Sequence, residues 1–339
     1  GHQGVVRGVT IGGGRVVSCG QDKEVRVWEL ASGRCEHVLI GHTDDVRGVS
    51  AASDGRLAAS CSFDKTVRVW DLVTGQEVSA MEGHTDKVFG VAMAGDGNTV
   101  VSCSWDMSVR VWDVETGQAV GKPMQPPSQP GSTGSVGSMA SVASVGSVGS
   151  AMSVAMKRLA MTGHEKEVLD VAITSDGGRA VSGSVDGTVR VWDVGSGEQL
   201  SKCQGHSDWV MGVAVTPNGS LAASGGRDGT LRLWTMSGKE VRKIKHTGEV
   251  SCVALSPDGG RVVSGQGKQV LVWDCNTGKH IKGLNRHTGA VRRVAVSPLG
   301  DKVVSGSQDM TVMVWDMRGL SHERTLEGHS GVVRGVSIG

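Results

Sequence analysis

A histidine, in most cases preceded by glycine, returns along this chain as His2, His42, His84, His164, His206, His246, His287 and His329, at spacings of 40, 42, 80, 42, 40, 41 and 42 residues. The interval of 80 is two periods long, so the beat is kept throughout. A second landmark runs at the same pace: Val-Trp-Asp or a close variant places tryptophans at 28, 70, 112, 192, 234, 273 and 315. Self-similarity at a fixed period of this size marks a repeat architecture, and it overrides the division into two or three ordinary domains that 339 residues would otherwise suggest. Seven tryptophans define seven units.

Each unit reads as four short strands. In the second they are Val46 to Ser50, Leu57 to Ser60, Val67 to Asp71 and Glu77 to Met81, with Ser53-Asp54-Gly55, Asp64-Lys65 and Thr74-Gly75 marking the turns. A content of 52 Gly and only 7 Pro suits an all-β chain with many tight turns. One such sheet cannot bury both of its faces. Setting the sheets radially around a channel covers each face with a neighbour and leaves few exposed edges. The expected fold is therefore all-β, a closed seven-bladed β-propeller of four-stranded antiparallel blades.

Gly-His at one end of the unit and Trp-Asp at the other, near 40 residues and recurring over essentially the whole chain, resembles the WD-repeat family. Most units also carry a Ser four residues before an Asp that lies six before the Trp: Ser18/Asp22/Trp28, Ser60/Asp64/Trp70, Ser102/Asp106/Trp112, Ser182/Asp186/Trp192, Ser224/Asp228/Trp234 and Ser305/Asp309/Trp315. With the unit's histidine these look like the family's structural tetrad, complete for example in His42, Ser60, Asp64 and Trp70 and in His84, Ser102, Asp106 and Trp112. A catalytic Ser-His-Asp triad is the competing reading. Six copies argue against it, since catalysis needs one site and a scaffold needs the same brace in every blade. The sixth unit departs: Ser264 to Trp273 is one residue short, its turn has no Asp, and Lys245 replaces the Gly that precedes most of the repeat histidines. Its brace is expected to be incomplete and its blade the least stable.

The formal charge is +1, from 35 basic and 34 acidic side chains, which gives no global field toward nucleic acid or an anionic membrane. Seven cysteines without a C-x-x-C pair form neither a disulfide framework nor a recognisable zinc site. Cys19, Cys61 and Cys103 follow a serine at one equivalent position and read as small buried hydrophobes. No metal or cofactor is expected. Neither a membrane span nor a signal peptide is visible, so an intracellular protein is expected, cytoplasmic with the nucleus left open. The absent initiator Met implies a piece of a longer chain, which the family resemblance leads one to expect to be multi-domain.

The organisation expected is blades one to three over residues 1–120, a flexible Gly/Ser/Val-rich insertion over 121–156, and the end of blade three to blade seven, with a duplicated terminal strand, over 157–339. The insertion is placed by Trp112 to His164, 52 residues where five other units have 14. Its Pro-Pro-Ser-Gln-Pro start and near-absence of charge fit a loop, expected on the face opposite the Gly-His loops. The two ends repeat each other, GHQGVVRGVTIG from Gly1 and GHSGVVRGVSIG from Gly328. Only one innermost strand is needed to close blade one; the first copy is expected inside and the second as a loose tail.

Function should lie where equivalent units differ. Seven of nine Trp are landmarks and there is no Tyr, leaving Phe63, Phe89, Trp105 and Trp209 as spare aromatics. The residue after the strand-opening Val varies as Arg7, Arg47, Phe89, Leu169, Met211, Ser251 and Arg292. The family resemblance implies that all these positions open on the Gly-His loop face around the channel mouth. There Arg292, Arg7 and Arg47 would form a basic arc beside Phe63, Phe89 and Trp105, with Arg227 further round. Arg and aromatics dominate interface energetics, and Arg grips carboxylate and phosphate bidentately. The expected function is a non-catalytic scaffold binding a protein or peptide, acidic or phosphorylated, with no membrane partner and with nucleic acid disfavoured. The alternative, a propeller hydrolase with a site at the central channel, would need a unique carboxylate or His cluster there. Asp45, Glu167 and Glu249 approach the mouth but sit on separate blades.

Overall fold

A computed structural model describes residues 1–120, 161–329 and 331–338. The chain is an all-β, seven-bladed propeller, each blade a four-stranded antiparallel sheet with strands in chain order from the innermost outward. Blade two shows the scheme with Val46–Ala51, Leu57–Ser62, Val67–Asp71 and Gln76–Met81, within two residues of the sequence expectation at every boundary. The outermost turn is fixed locally. Thr74 N donates to Asp71 Oδ1 at 2.9 Å, Gly75 N to Asp71 O at 2.9 Å, and Gly75 takes φ 70°, a conformation that glycine adopts without strain.

The second and third strands of blades two to five are largely buried because both their faces meet other blades. Packing runs between blades: Trp112 and Val114 of blade three lie with Val67, Val69 and Met81 of blade two in one cluster. Glycines on the innermost strands let neighbours close on the axis. A Cβ on Gly8 would meet Gly48 and Val49 of the next blade within 3.3 Å, and one on Gly212 would meet Cys252 at 3.1 Å, which explains Gly at this position in blades one and five.

The first end copy supplies the innermost strand of blade one, Val6–Gly12. The second is not a loose tail. Val333 and Val336 are buried, Val333 N donates to Ser307 O of blade seven at 3.0 Å, and Gly335 lies against Arg7 and Gly8 of blade one. The copy is apolar enough to be drawn into the space between the two blades. The expected insertion at 121–156 lies outside the described residues; it leaves from Val120, whose N–H bonds to Val111 O, and the chain returns as Met161–Thr162 on the outer edge of blade three.

All seven cysteines are free, and those at 19, 61 and 103 are buried. Burial pushes the Cys61 thiol up to about 12, fitting a packing role. Among the described residues no helix is long and apolar enough to cross a membrane, which leaves β-barrels unaddressed.

Candidate functional site

Two polar arrangements occupy the face that carries the Gly-His loops, and only one varies from blade to blade. The constant one is the brace. In blade three, His84 Nδ1 meets Asp106 Oδ2 at 2.8 Å, His84 Nε2 meets Ser102 Oγ at 2.8 Å, and Trp112 Nε1 donates to Ser102 Oγ at 2.8 Å. His42, Ser60, Asp64 and Trp70 repeat this geometry in blade two, as do the sets in blades one, four, five and seven. With the aspartate holding the proton on Nδ1, Nε2 accepts from the serine hydroxyl and the serine oxygen accepts from the indole. The buried hydroxyl is thus committed on both sides, which removes the catalytic triad reading.

A fifth member escaped the sequence reading. Thr66, Ser108, Thr188, Thr230 and Thr311 donate to the same aspartates at 2.6 to 2.8 Å. The signal was a hydroxyl residue two places after each of those aspartates. Blade one has Glu24 instead, and His2, Asp22 and Glu24 hold ligand atoms within 4.8 Å of one another. His2 is paired with Asp22 and Glu24 with Arg26, so these groups are engaged within the brace.

Burial, partly offset by the aspartate, holds His84, His164 and His206 below the ordinary imidazole range. Burial alone would raise the Asp64, Asp106 and Asp186 carboxyls, but hydrogen bonds from the histidines and the extra hydroxyls hold them well below the carboxylate range. The unfolded chain therefore binds more protons than the folded one, first as pH falls below about 6.5 and again below about 4. The denaturant midpoint should be lower at pH 5.5 than at 7.5, and chemical denaturation at the two values checks it.

In blade six, His246 and Trp273 still meet Ser264 at 2.9 and 3.0 Å, but no aspartate faces His246 Nδ1 and Trp273 is only half-buried. With its amide oxygen turned to the loop, Gln266 accepts from Gly248 N at 2.9 Å and takes over part of the aspartate's loop-holding task. Hydrogen exchange should show the strands of blade six opening before those of blade five; equal protection would contradict this.

The variable arrangement is built by β-bulges. Register slips between Val6 and Gly8, Val46 and Gly48, and Val291 and Arg293, so Arg7, Arg47 and Arg292 are each the extra residue. Phe89, Leu169 and Met211 occupy the same place in other blades. A bulge leaves its residue unpaired and re-aims it, here into a central channel of about 480 Å³.

The basic arc exists and is larger than expected. Arg334, from the second end copy, lines the channel with Arg292, Arg7 and Arg47. The repeated Gly-Val-Val-Arg-Gly of the two ends was its signal in the sequence. Arg7 is neutralised by Asp45 at 2.9 Å, whereas Arg47, Arg292 and Arg334 have no carboxylate partner among the described residues. Burial first, then repulsion from Arg7 and Arg334, pushes the Arg47 guanidinium down to about 10. A ligand anion would relieve that repulsion.

Three spare aromatics come together beside the arc. Phe89 stacks on Trp105 at 4.9 Å and lies 5.4 Å from Phe63, while Arg47 sits 4.6 Å from the Phe89 ring and Lys87 4.7 Å from Phe63. Trp105 remains 36% exposed, which is what an interface anchor needs. Trp209 does not join them; it forms a separate patch under Arg227, whose guanidinium lies 4.9 Å from its ring. Asp45, Glu167 and Glu249 stay on separate blades, and Asp45 is spent on Arg7.

The family described as "WD domain, G-beta repeat" matches residues 1–29, 33–71, 75–113, 156–193, 197–235, 238–274 and 278–316. This chain belongs to the WD40 family. Propellers of that family are in general non-catalytic interaction scaffolds. Among relatives, the U3 small nucleolar RNA-associated protein 15 homolog of Xenopus laevis is 35% identical over 115 residues, 33% of this chain and 22% of that protein. Its Xenopus tropicalis counterpart is 34% identical over the same shares. The WD40 chain thus matches about a fifth of the length of these curated relatives. Among solved structures, the computationally designed Ika8 protein superposes with a TM-score of 0.76 at 28% identity, over 99% of this chain and 91% of that one.

Proposed function

We propose that this WD40 propeller is a non-catalytic platform that captures an acidic or phosphorylated protein segment across its channel mouth. The observation that carries the reading is the arc of Arg292, Arg334, Arg7 and Arg47, with Asp45 the one carboxylate paired into it among the described residues, abutting the half-buried Phe63 and Phe89 and the exposed Trp105. The arginines would hold carboxylates or phosphate bidentately, and a neighbouring apolar side chain of the ligand would lie on the aromatics. Arg227 and Trp209 form a second, smaller contact further round the face.

The test is fluorescence anisotropy with a labelled peptide carrying phosphoserine, glutamates and one Phe, against the chain and an Arg47→Glu, Phe89→Ala variant whose folding is checked by circular dichroism. Binding should weaken at least tenfold, about 1.4 kcal/mol. Equal affinity would move the site away from the mouth. Capture from lysate with the same pair of proteins then names the partner.

A second reading draws on the relatives whose names associate them with a small nucleolar RNA. The local arc would take RNA phosphates despite the near-zero net charge, and the setting would be nuclear rather than cytoplasmic. It requires binding whose logarithm falls steeply with the logarithm of salt concentration.

A further inference from the structure

The second end copy occupies the place of an innermost strand. A Cβ on Gly306 of blade seven would meet Val333 and Val336, as one on Gly225 of blade five meets Val250 and Val253 of blade six. The bond from Val333 N to Ser307 O matches Val250 N to Gly226 O and Val291 N to Gly267 O, each joining one blade to the next. Gly335 then approaches Gly8 of blade one as Gly8 approaches Gly48. Eight innermost segments therefore surround the channel, and only seven of them continue into a described sheet.

Outside that segment the walls of blades seven and one stand open. Leu30 is 52% exposed, whereas its counterparts Leu72, Val114, Val194, Met236, Cys275 and Met317 are 0 to 7% exposed. Leu326 is 43% exposed against 0 to 5% for Leu39, Met81, Cys203, Ile244 and Leu284. Trp28 and Val16 on one wall and Val314 on the other are likewise only half-buried, although their counterparts in blades two to five are buried. Apolar positions that each complete junction buries are thus left uncovered on both sides of one wedge.

We propose that this wedge is the seat of an eighth blade, with residues 332–338 as its innermost strand and three further strands of the same protein, beyond residue 339, as its remainder. The occupant is argued from three facts. The wedge has two apolar walls set for a sheet. A segment packed where an innermost strand belongs is already in place. In every blade the chain runs from the innermost strand outward, so the residues next in sequence are the ones delivered to the wedge. Gly328 to Gly339 also repeats Gly1 to Gly12 with changes only at Ser330 and Ser337, which sets the register of the three outer strands. The consequence for the mouth is a fixed Arg334, since its strand would be clamped by its own sheet.

The test extends the 339-residue chain by a copy of its own residues 13–41. Melting should rise by roughly 5 °C or more, and amide exchange over Val25–Glu29 and Val312–Asp316 should slow at least tenfold. A second pair of variants guards against misfolding of the extension. Leu30→Asp and Leu326→Asp should leave the 339-residue chain unchanged in melting and should lower that of the extended chain. No change in melting or exchange on extension would overturn the proposal. So would a 339-residue chain that sediments as a dimer at micromolar concentration with both walls already protected, because a second copy would then fill the wedge.

Discussion

Replacing Trp112 by alanine lowers the stability of the propeller by about 4 kcal/mol, near the top of the range for a large buried side chain. Two losses add. The indole is buried against Val67, Val69 and Met81 of the preceding blade, so its removal opens a cavity at a blade junction. It is also the donor to Ser102 Oγ, so the serine keeps His84 but loses half of its commitment. Trp112→Phe separates the two, keeping most of the packing and costing about 1 to 2 kcal/mol for the unsatisfied serine oxygen. Trp273→Ala in blade six should cost less than Trp112→Ala, since Trp273 is half-buried and its brace already lacks the carboxylate. Guanidinium midpoints for the three variants check the order, and a Trp273→Ala cost equal to that of Trp112→Ala would show that the full brace adds nothing to the packing.

Loss of Arg293 costs about 2 kcal/mol, through a contact that spans the channel. Arg293 of blade seven donates to Asp170 Oδ2 of blade four at 2.9 Å, and the same oxygen accepts from Val213 N of blade five at 2.9 Å. Asp170 is buried, and Arg293→Ala leaves its charge with the backbone donor alone; stranding a buried charge of this kind costs about 3 to 5 kcal/mol when both partners are enclosed. The figure here is lower because Arg293 is partly open to the channel. A double-mutant cycle with Asp170→Ala should give a coupling of about 1 to 2 kcal/mol, and one near zero would mean that water serves the two groups as well as they serve each other. The pair matters for the mouth too: it ties together opposite sides of a ring otherwise held by contacts between neighbours, keeping the spacing of the arginines above it.

Loop-face chemistry in this WD40 chain is thus layered. The repeated braces hold the Gly-His loops by groups committed to one another. The bulge residues above them carry the differences that a partner could read. In that second layer Arg47, Arg292 and Arg334 have no carboxylate partner among the described residues, which separates them from the paired histidines of the first.

The period, the four strands of a unit, the turn residues and the brace were all legible in the sequence, because each depends on residues within one unit or on the same contact made seven times. Repetition averages away local ambiguity: one Ser-x-x-x-Asp is weak, six in register with His and Trp are not. Even the incomplete brace of blade six could be read, since the missing Asp breaks a local rule. The positions of the channel-lining arginines and spare aromatics were legible as departures from the repeat, but not the bulges that aim them. What only the tertiary structure decided are the contacts made once. Asp170 and Arg293 stand where most units have Gly, and nothing local says that they meet across the channel. Asp45 neutralises Arg7 and not the other arginines of the arc because the two neighbouring innermost strands bring those side chains together. The second end copy has the same sequence pattern as the first, yet one heads a sheet and the other fills a wedge. Identical local preferences cannot separate them; what does is which neighbouring apolar faces remain uncovered once seven sheets have packed.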